Sequence, residues 1–403
     1  MFSRRTPHSM TPNALALRVA EKRRSGARLL DLTETNPTMA GLSPAAEEIA
    51  RALAGRDLAR YEPEARGAAP AREAVARYYA ERAIRQARVS PDRIILTAST
   101  SEAYAHIFRL LGDDGDEFLA PVPSYPLFEP LAALENVRLV PYELRYDGRW
   151  RIDAGEIARL AGPRTRAIIL VSPNNPTGSV TLASEAREIE QLAGERGIAI
   201  VSDEVFGDFI TAPSEASARG MLAASPHHIL SPTLAGARDA LTFVLSGLSK
   251  VAGLPQLKLG WIAAAGPERL VTEALDRLEW ITDAFLSVGG PAEQALPQLL
   301  ATRHAFQSRA QGRITTNRAR LAAALASRPD FELLNADGGW SAVIRLPRTR
   351  SEEEWCLALL DRGVLVHPGH FYDFPDEAYI VVSLLPEASA FAEAAERIVT
   401  TGA

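Results

Sequence analysis

Three short apolar runs constrain this chain more than any other feature: RAIILV at 166–171, IAIVS at 198–202 and LTFVL at 241–245. A strand with one face in water alternates apolar and polar residues, whereas a continuous β-branched run is buried on both faces. Amphipathic stretches at helical spacing separate the runs, as at residues 183–195. Further strands are expected at 93–97, 117–120, 137–142 and 257–263, and helices at 101–111, 125–134 and 153–161. The pattern predicts an α/β fold whose large domain is a mostly parallel sheet flanked by helices.

The texture changes beyond Gly289. Residues 301–328 read as one long helix between domains, 340–346 and 379–384 as strands, and 352–360 and 386–399 as helices. A smaller α+β domain is therefore expected, with the helix at 13–24 packed near it. The division is 43–291 for the large domain, and 1–42 with 292–403 for a discontinuous small one. No internal repeat or low-complexity linker interrupts the chain.

Composition removes several classes of function. The 403 residues carry a net charge of −6 and no basic tail, which argues against nucleic acid or an anionic membrane as partner. No apolar run approaches the roughly 18 residues of a membrane span, and residues 1–26 lack the continuous apolar region of a signal peptide. A cytoplasmic protein is expected. The single cysteine, Cys356, excludes an internal disulfide and a cysteine-based metal cluster, and no metal is expected. Lysine occurs only at 22, 250 and 258, although Lys plus Arg total 44. Chemistry that needs a side-chain primary amine therefore has three candidates.

Three loops follow predicted strands, where a parallel sheet builds its ligand crevice. They are SPNNPTG at 172–178, SDEVFGDF at 202–209 and SGLSK at 246–250. Singly, each has a plain reading as a turn, a helix cap or a surface charge. In this order and spacing they resemble the class I/II aminotransferase family, pyridoxal-phosphate enzymes of fold type I. The resemblance runs from about Leu30 to the C-terminus.

The resemblance implies a role for each position. Lys250 would form a Schiff base with the aldehyde of pyridoxal 5'-phosphate and then move the substrate's α-proton. Asp203 would pair with the pyridinium nitrogen, Asn175 would donate to the phenolate oxygen, and Tyr125, in PSYP, would stack on the ring. Ser99, Thr100 and Ser101, in TASTSEA, with Ser249, would hold the phosphate at a helix start. Capping of that helix by Ser99 is compatible with this. Tyr61, in YEPEARG, resembles the tyrosine that reaches the neighbouring subunit's phosphate, which implies a homodimer.

Three positions depart from the family pattern. Lys258 stands where an arginine usually clamps the phosphate, and Phe206 where a tyrosine usually meets the phenolate oxygen. In YIVVSLL, Val381 or Val382 replaces the arginine that binds the substrate's carboxylate. Arg345, Asn36 in ETNPT, and Trp340 are the substrate-pocket candidates. His370, in HPGH, reads as a locally bonded loop histidine. The expected activity is ping-pong exchange of an amino group between an amino donor and a 2-oxo acid. β-Elimination, decarboxylation or racemisation on the same scaffold stays open, as does a non-catalytic binding or regulatory protein.

Overall fold

The computed structural model describes residues 2–7, 11–54, 59–82, 89–211, 231, 233–376 and 378–401. The expected domain ranges thus include residues outside those described. Up to residue 265 the strands are β1 (Leu30–Asp31), β2 (Ile94–Thr97), β3 (Glu117–Val122), β4 (Arg138–Tyr146), β5 (Trp150–Ile152), β6 (Thr165–Val171), β7 (Ala199–Asp203), β8 (Thr242–Gly247) and β9 (Gly260–Ala265). After it come β10 (Glu332–Leu333), β11 (Ser341–Arg345), β12 (Val364–Leu365), β13 (His367–Pro368) and β14 (Tyr379–Ser383).

Eight strands form one sheet in the order β2-β9-β8-β7-β6-β3-β4-β5. The five from β8 to β4 are parallel, and β9 runs against both β8 and β2. The continuous apolar runs are its centre. In β6, Ile168 and Leu170 join one core, shared with Val75 and Leu296 of the helices Ala69–Arg82 and Gly290–Ala301. Ala167, Ile169 and Val171 join another, shared with Ile107 and Leu278 of the helices Thr100–Leu111 and Glu268–Asp283. Period-two alternation thus sends apolar residues into both layers of helices.

A second sheet, β10-β11-β14-β13, is antiparallel. One face of it, with Ile344 and Val382, builds a core with the helices Arg303–Leu325 and Ala388–Val399, while Val343 and Val381 on the other face join the core of the large sheet. The helix Ala14–Arg24 is capped by Asn13, whose Oδ1 accepts from the Ala16 N–H at 2.8 Å. Arg18 and Lys22 tie it to Asp361 at 3.0 and 3.3 Å.

Several boundaries differ from expectation. The helix expected from Tyr125 begins at Phe128, because Pro126 disfavours helical geometry at Tyr125 before it. The strand expected at 257–263 is displaced to Gly260–Ala265, since Pro255–Leu257 forms a short 3₁₀ turn. The long helix covers Arg303–Leu325, with a second one, Gly290–Ala301, before it.

Candidate active site

The ends of β6, β7 and β8 lie side by side: Val171 pairs with Asp203, and Asp203 with Leu245. The three loops therefore open on one edge of the sheet. Strand β2 ends there too, because Thr97 pairs with Gly260 and Gly260 with Gly247. That register delivers the start of the helix Thr100–Leu111 to the same edge. A Cβ on Gly260 would lie 3.2 and 3.3 Å from Ser99 C and Thr100 N.

Asp203 is buried and accepts from the Tyr104 hydroxyl and the Val205 N–H, each at 3.1 Å. Burial pushes its carboxyl up to about 6, while those hydrogen bonds and the Lys250 charge pull it back. Lys250 is half-buried, and its Nζ lies 4.9 Å from the Trp340 ring centroid and 5.6 Å from that of Phe206. Burial pushes its amine down to about 8, against the attraction of Asp203 and then Glu34. An amine with that value has a useful unprotonated fraction near neutrality, the condition for a nucleophile or a base.

Asn175 joins the two sheets: its Oδ1 accepts from Ser341 Oγ, on β11, at 3.4 Å. Its loop is fixed from inside by Asn174, whose Oδ1 accepts from the Thr177 hydroxyl at 2.9 Å. Gly178 has φ +69°, and any Cβ there would overlap Gly338 O, so this loop approaches the one before β11 as only glycine permits. Tyr125 is 41% exposed, and Asp203 helps raise its hydroxyl's pKa, though burial does more.

At the helix start, Ser99 is extended, with φ −168°, so its side chain meets no backbone conflict. Its Oγ caps the Glu102 N–H at 3.2 Å and its carbonyl accepts from Ala103 N. The Thr100 and Ser101 N–H groups have no partner within the helix, as at any helix start, and both residues are half-buried. Ser249 is half-buried and Lys258 exposed, with Lys258 in a left-handed conformation two residues before Gly260.

An amine, a buried carboxylate and uncommitted helix-terminal N–H groups on one edge are the donor set that an anionic, ring-bearing aldehyde needs. The residues present therefore fit pyridoxal 5'-phosphate.

Asn36 shares a cavity of about 360 Å³ with Lys250, Glu34, Asp31 and Arg23. Trp340 is buried beside Lys250 and Phe206. Arg345 does not reach the site: it is exposed at the far end of β11 and paired with Glu332. Val381 and Val382 are both buried, with Val381 opposite Val343 and His367. Tyr61 is 78% exposed and lines a different cavity, with Thr282 and Ser287. His370 bonds locally, its Nδ1 3.2 Å from Glu352. Glu34 lies in the ETNPT loop, which the sequence offers as a contributor to the substrate pocket, whereas sequence reasoning missed Tyr104. Tyr104 had a signal, since it lies one helical turn beyond Thr100 and so on the same face.

Residues 27–398 match the family model for aminotransferase class I and II. The glutamate-pyruvate aminotransferase AlaA of Escherichia coli (strain K12) is 26% identical over 275 residues, 68% of this chain. The chain spans 64% of that relative's length. The protein of the same description from Haemophilus influenzae is 27% identical over 398 residues, covering 95% of this chain and 92% of its own. Among solved structures, an alanine aminotransferase from Pyrococcus furiosus superposes with a TM-score of 0.85 at 24% identity, covering 99% of this chain and 98% of that one. With a family model matched over nearly its whole length, the chain belongs to the class I and II aminotransferases.

Proposed function

We propose that the chain is a pyridoxal-phosphate-dependent transaminase that exchanges an amino group between an amino donor and a 2-oxo acid. The observation that carries this reading is Lys250, an amine pushed down to about 8, beside the buried carboxylate Asp203 at the end of the neighbouring strand. When bound, the cofactor supplies an aldehyde and an electron-withdrawing ring. Lys250 would hold the aldehyde carbon and would be the base that moves a proton from the donor's α-carbon to that carbon. Asp203 keeps a proton on the ring nitrogen, and Tyr104 and the Val205 N–H keep Asp203 ionised and oriented. Tyr125 would stack on the ring, Asn175 would donate to its phenolate oxygen, and Phe206, which has no hydroxyl, would leave that oxygen without a second donor. The Thr100 and Ser101 N–H groups, with Ser99, Ser249 and Lys258, hold the phosphate.

Relatives named for glutamate–pyruvate and arginine–pyruvate transamination support exchange with a 2-oxo acid over elimination, decarboxylation or racemisation. Asn36 and Trp340 are the donor-pocket residues in this reading. Val381 and Val382 leave β14 without a cation for a carboxylate. The division into domains of 43–291 and of 1–42 with 292–403 is supported by the two distinct sheets. The exposed Tyr61 fits a homodimer in which it reaches the partner's phosphate. The cytoplasm is the proposed compartment; among the described residues no helix is long and apolar enough to cross a membrane.

The test is a panel of amino donors with pyruvate or 2-oxoglutarate as acceptor, followed by mass spectrometry. Stoichiometric appearance of the aminated acceptor and the donor's oxo product is expected. Ammonia or carbon dioxide in their place would overturn transamination.

A further inference from the structure

Behind the turn that carries Asp203 and Phe206 lies a charge cluster with no part in the chemistry above. Arg82, the last residue of the helix Ala69–Arg82, has a side chain only 9% exposed. Its Nη1 is 3.2 Å from Glu204 Oε2 and 3.4 Å from the Tyr78 hydroxyl. Its Nε is 3.8 Å from Asp208 Oδ1, and Tyr78 donates to Asp208 Oδ2 at 2.9 Å. Glu204 is 2% exposed, and its Oε1 accepts from Ser202 Oγ at 3.1 Å and from Leu234 N at 2.7 Å. Gly207 has no room for a side chain, because its Cβ would overlap the Arg82 guanidinium. The segment 203–208 therefore wraps a buried cation that two carboxylates share.

We propose that Arg82 is a positioning residue: its guanidinium, held between Glu204 and Asp208, fixes the turn that carries Phe206 and neutralises Glu204 beside Asp203. The argument is electrostatic as well as geometric. Asp203 faces Tyr104 from the helix Thr100–Leu111, Lys250 from the turn after β8, Tyr125 from the loop after β3, and Glu204 next to it in the chain. Of these, Glu204 is the charge that disfavours ionised Asp203, and Arg82 is the cation that holds Glu204. A planar fork spans two carboxylates, which an ammonium does not.

This inference rests on the cofactor reading, since its probe is pyridoxal 5'-phosphate binding to the apoprotein, followed by fluorescence against pH. Measured in a Lys250→Ala background, which removes the amine near 8, the acid limb of noncovalent binding reports the ionisation of Asp203. Arg82→Gln is expected to move that limb upward by about one pH unit, or roughly tenfold in affinity near pH 6. Adding Glu204→Gln is expected to return it, because the uncompensated charge is then gone. Glu204→Gln alone is expected to move the limb below that of the Lys250→Ala background, and it keeps the test open if Arg82→Gln does not fold. A purely structural Arg82 would lower Tm and leave the limb in place. An unmoved limb in folded Arg82→Gln, or in Glu204→Gln, overturns the proposal. A wild-type protein that binds no cofactor at all overturns the function reading instead.

Discussion

At Asp203 and Lys250 a buried carboxylate meets a half-buried amine, each altering the other's protonation. At the start of the helix Thr100–Leu111 the positive potential comes instead from backbone N–H groups and from Lys258, whose side chain reaches water. The first arrangement is costly to build and sensitive to each member, because burial disfavours the charged form of both groups. The second spreads its task over several donors, so losing one leaves the rest. The lesson is that proton chemistry needs the buried corner, while anchoring a phosphate does not.

Substitutions at the two corners test this contrast, beginning with the largest expected effect. Lys250→Ala is expected to abolish turnover while the apoprotein still binds cofactor noncovalently. Borohydride reduction followed by peptide mapping checks it, and label at Lys22 or Lys258 would break the assignment. Asp203→Asn should lower kcat about 10²–10⁴-fold, the range for removing one partner of a buried pair at about 3–5 kcal/mol. A loss smaller than that of the Lys258 variant below would reverse the comparison.

The buried corner also has a pH signature in the apoprotein. Lys250 is lowered from the ordinary 10.5 to about 8, so between those values the unfolded chain holds a proton that the folded chain lacks. Stability contributed by this residue therefore rises across that window, by up to about 3 kcal/mol. Urea midpoints from pH 8 to 10.5 should climb in wild type and flatten in Lys250→Met. At the phosphate corner, Lys258→Ala should weaken cofactor binding about ten- to hundredfold, matching 1.5–3 kcal/mol for one charged hydrogen bond. Lys258→Arg should retain affinity. Fluorescence titration measures both, and wild-type affinity in Lys258→Ala would show that the ammonium points elsewhere.

The corner residues were legible in the sequence because each follows a strand end and needs only local chain direction to be placed. Asn175, Asp203 and Lys250 reach one edge because three apolar runs pair in register. Tyr104 went unread although its spacing from Thr100 puts it on the same helix face. Arg345 was misread because side-chain alternation names a face but not a position along it; the residue sits at the far end beside Glu332. The helix Gly290–Ala301 stayed hidden because Pro291 and Pro297 interrupt its signal. Strand β5 was missed too: it pairs with β4 across a three-residue turn whose Gly148 has φ +94°. Arg82 had no signal at all, since only the fold brings the end of one helix beneath a turn that follows β7.

The strand order has a consequence for how the protein is made. Among the described residues, β2 pairs in the sheet with β9 alone, so Thr97 must wait for Gly260 to emerge before it has a strand neighbour. During synthesis, β3 to β8 have the chance to assemble in sequence as each follows the last, while β2 and the helix after it lack their neighbour. Closing that long loop is entropically slow. The phosphate cradle is thus the final piece of the large sheet to set, and a nascent chain stalled before β9 would carry Asn175, Asp203 and Lys250 without a place to seat an anion.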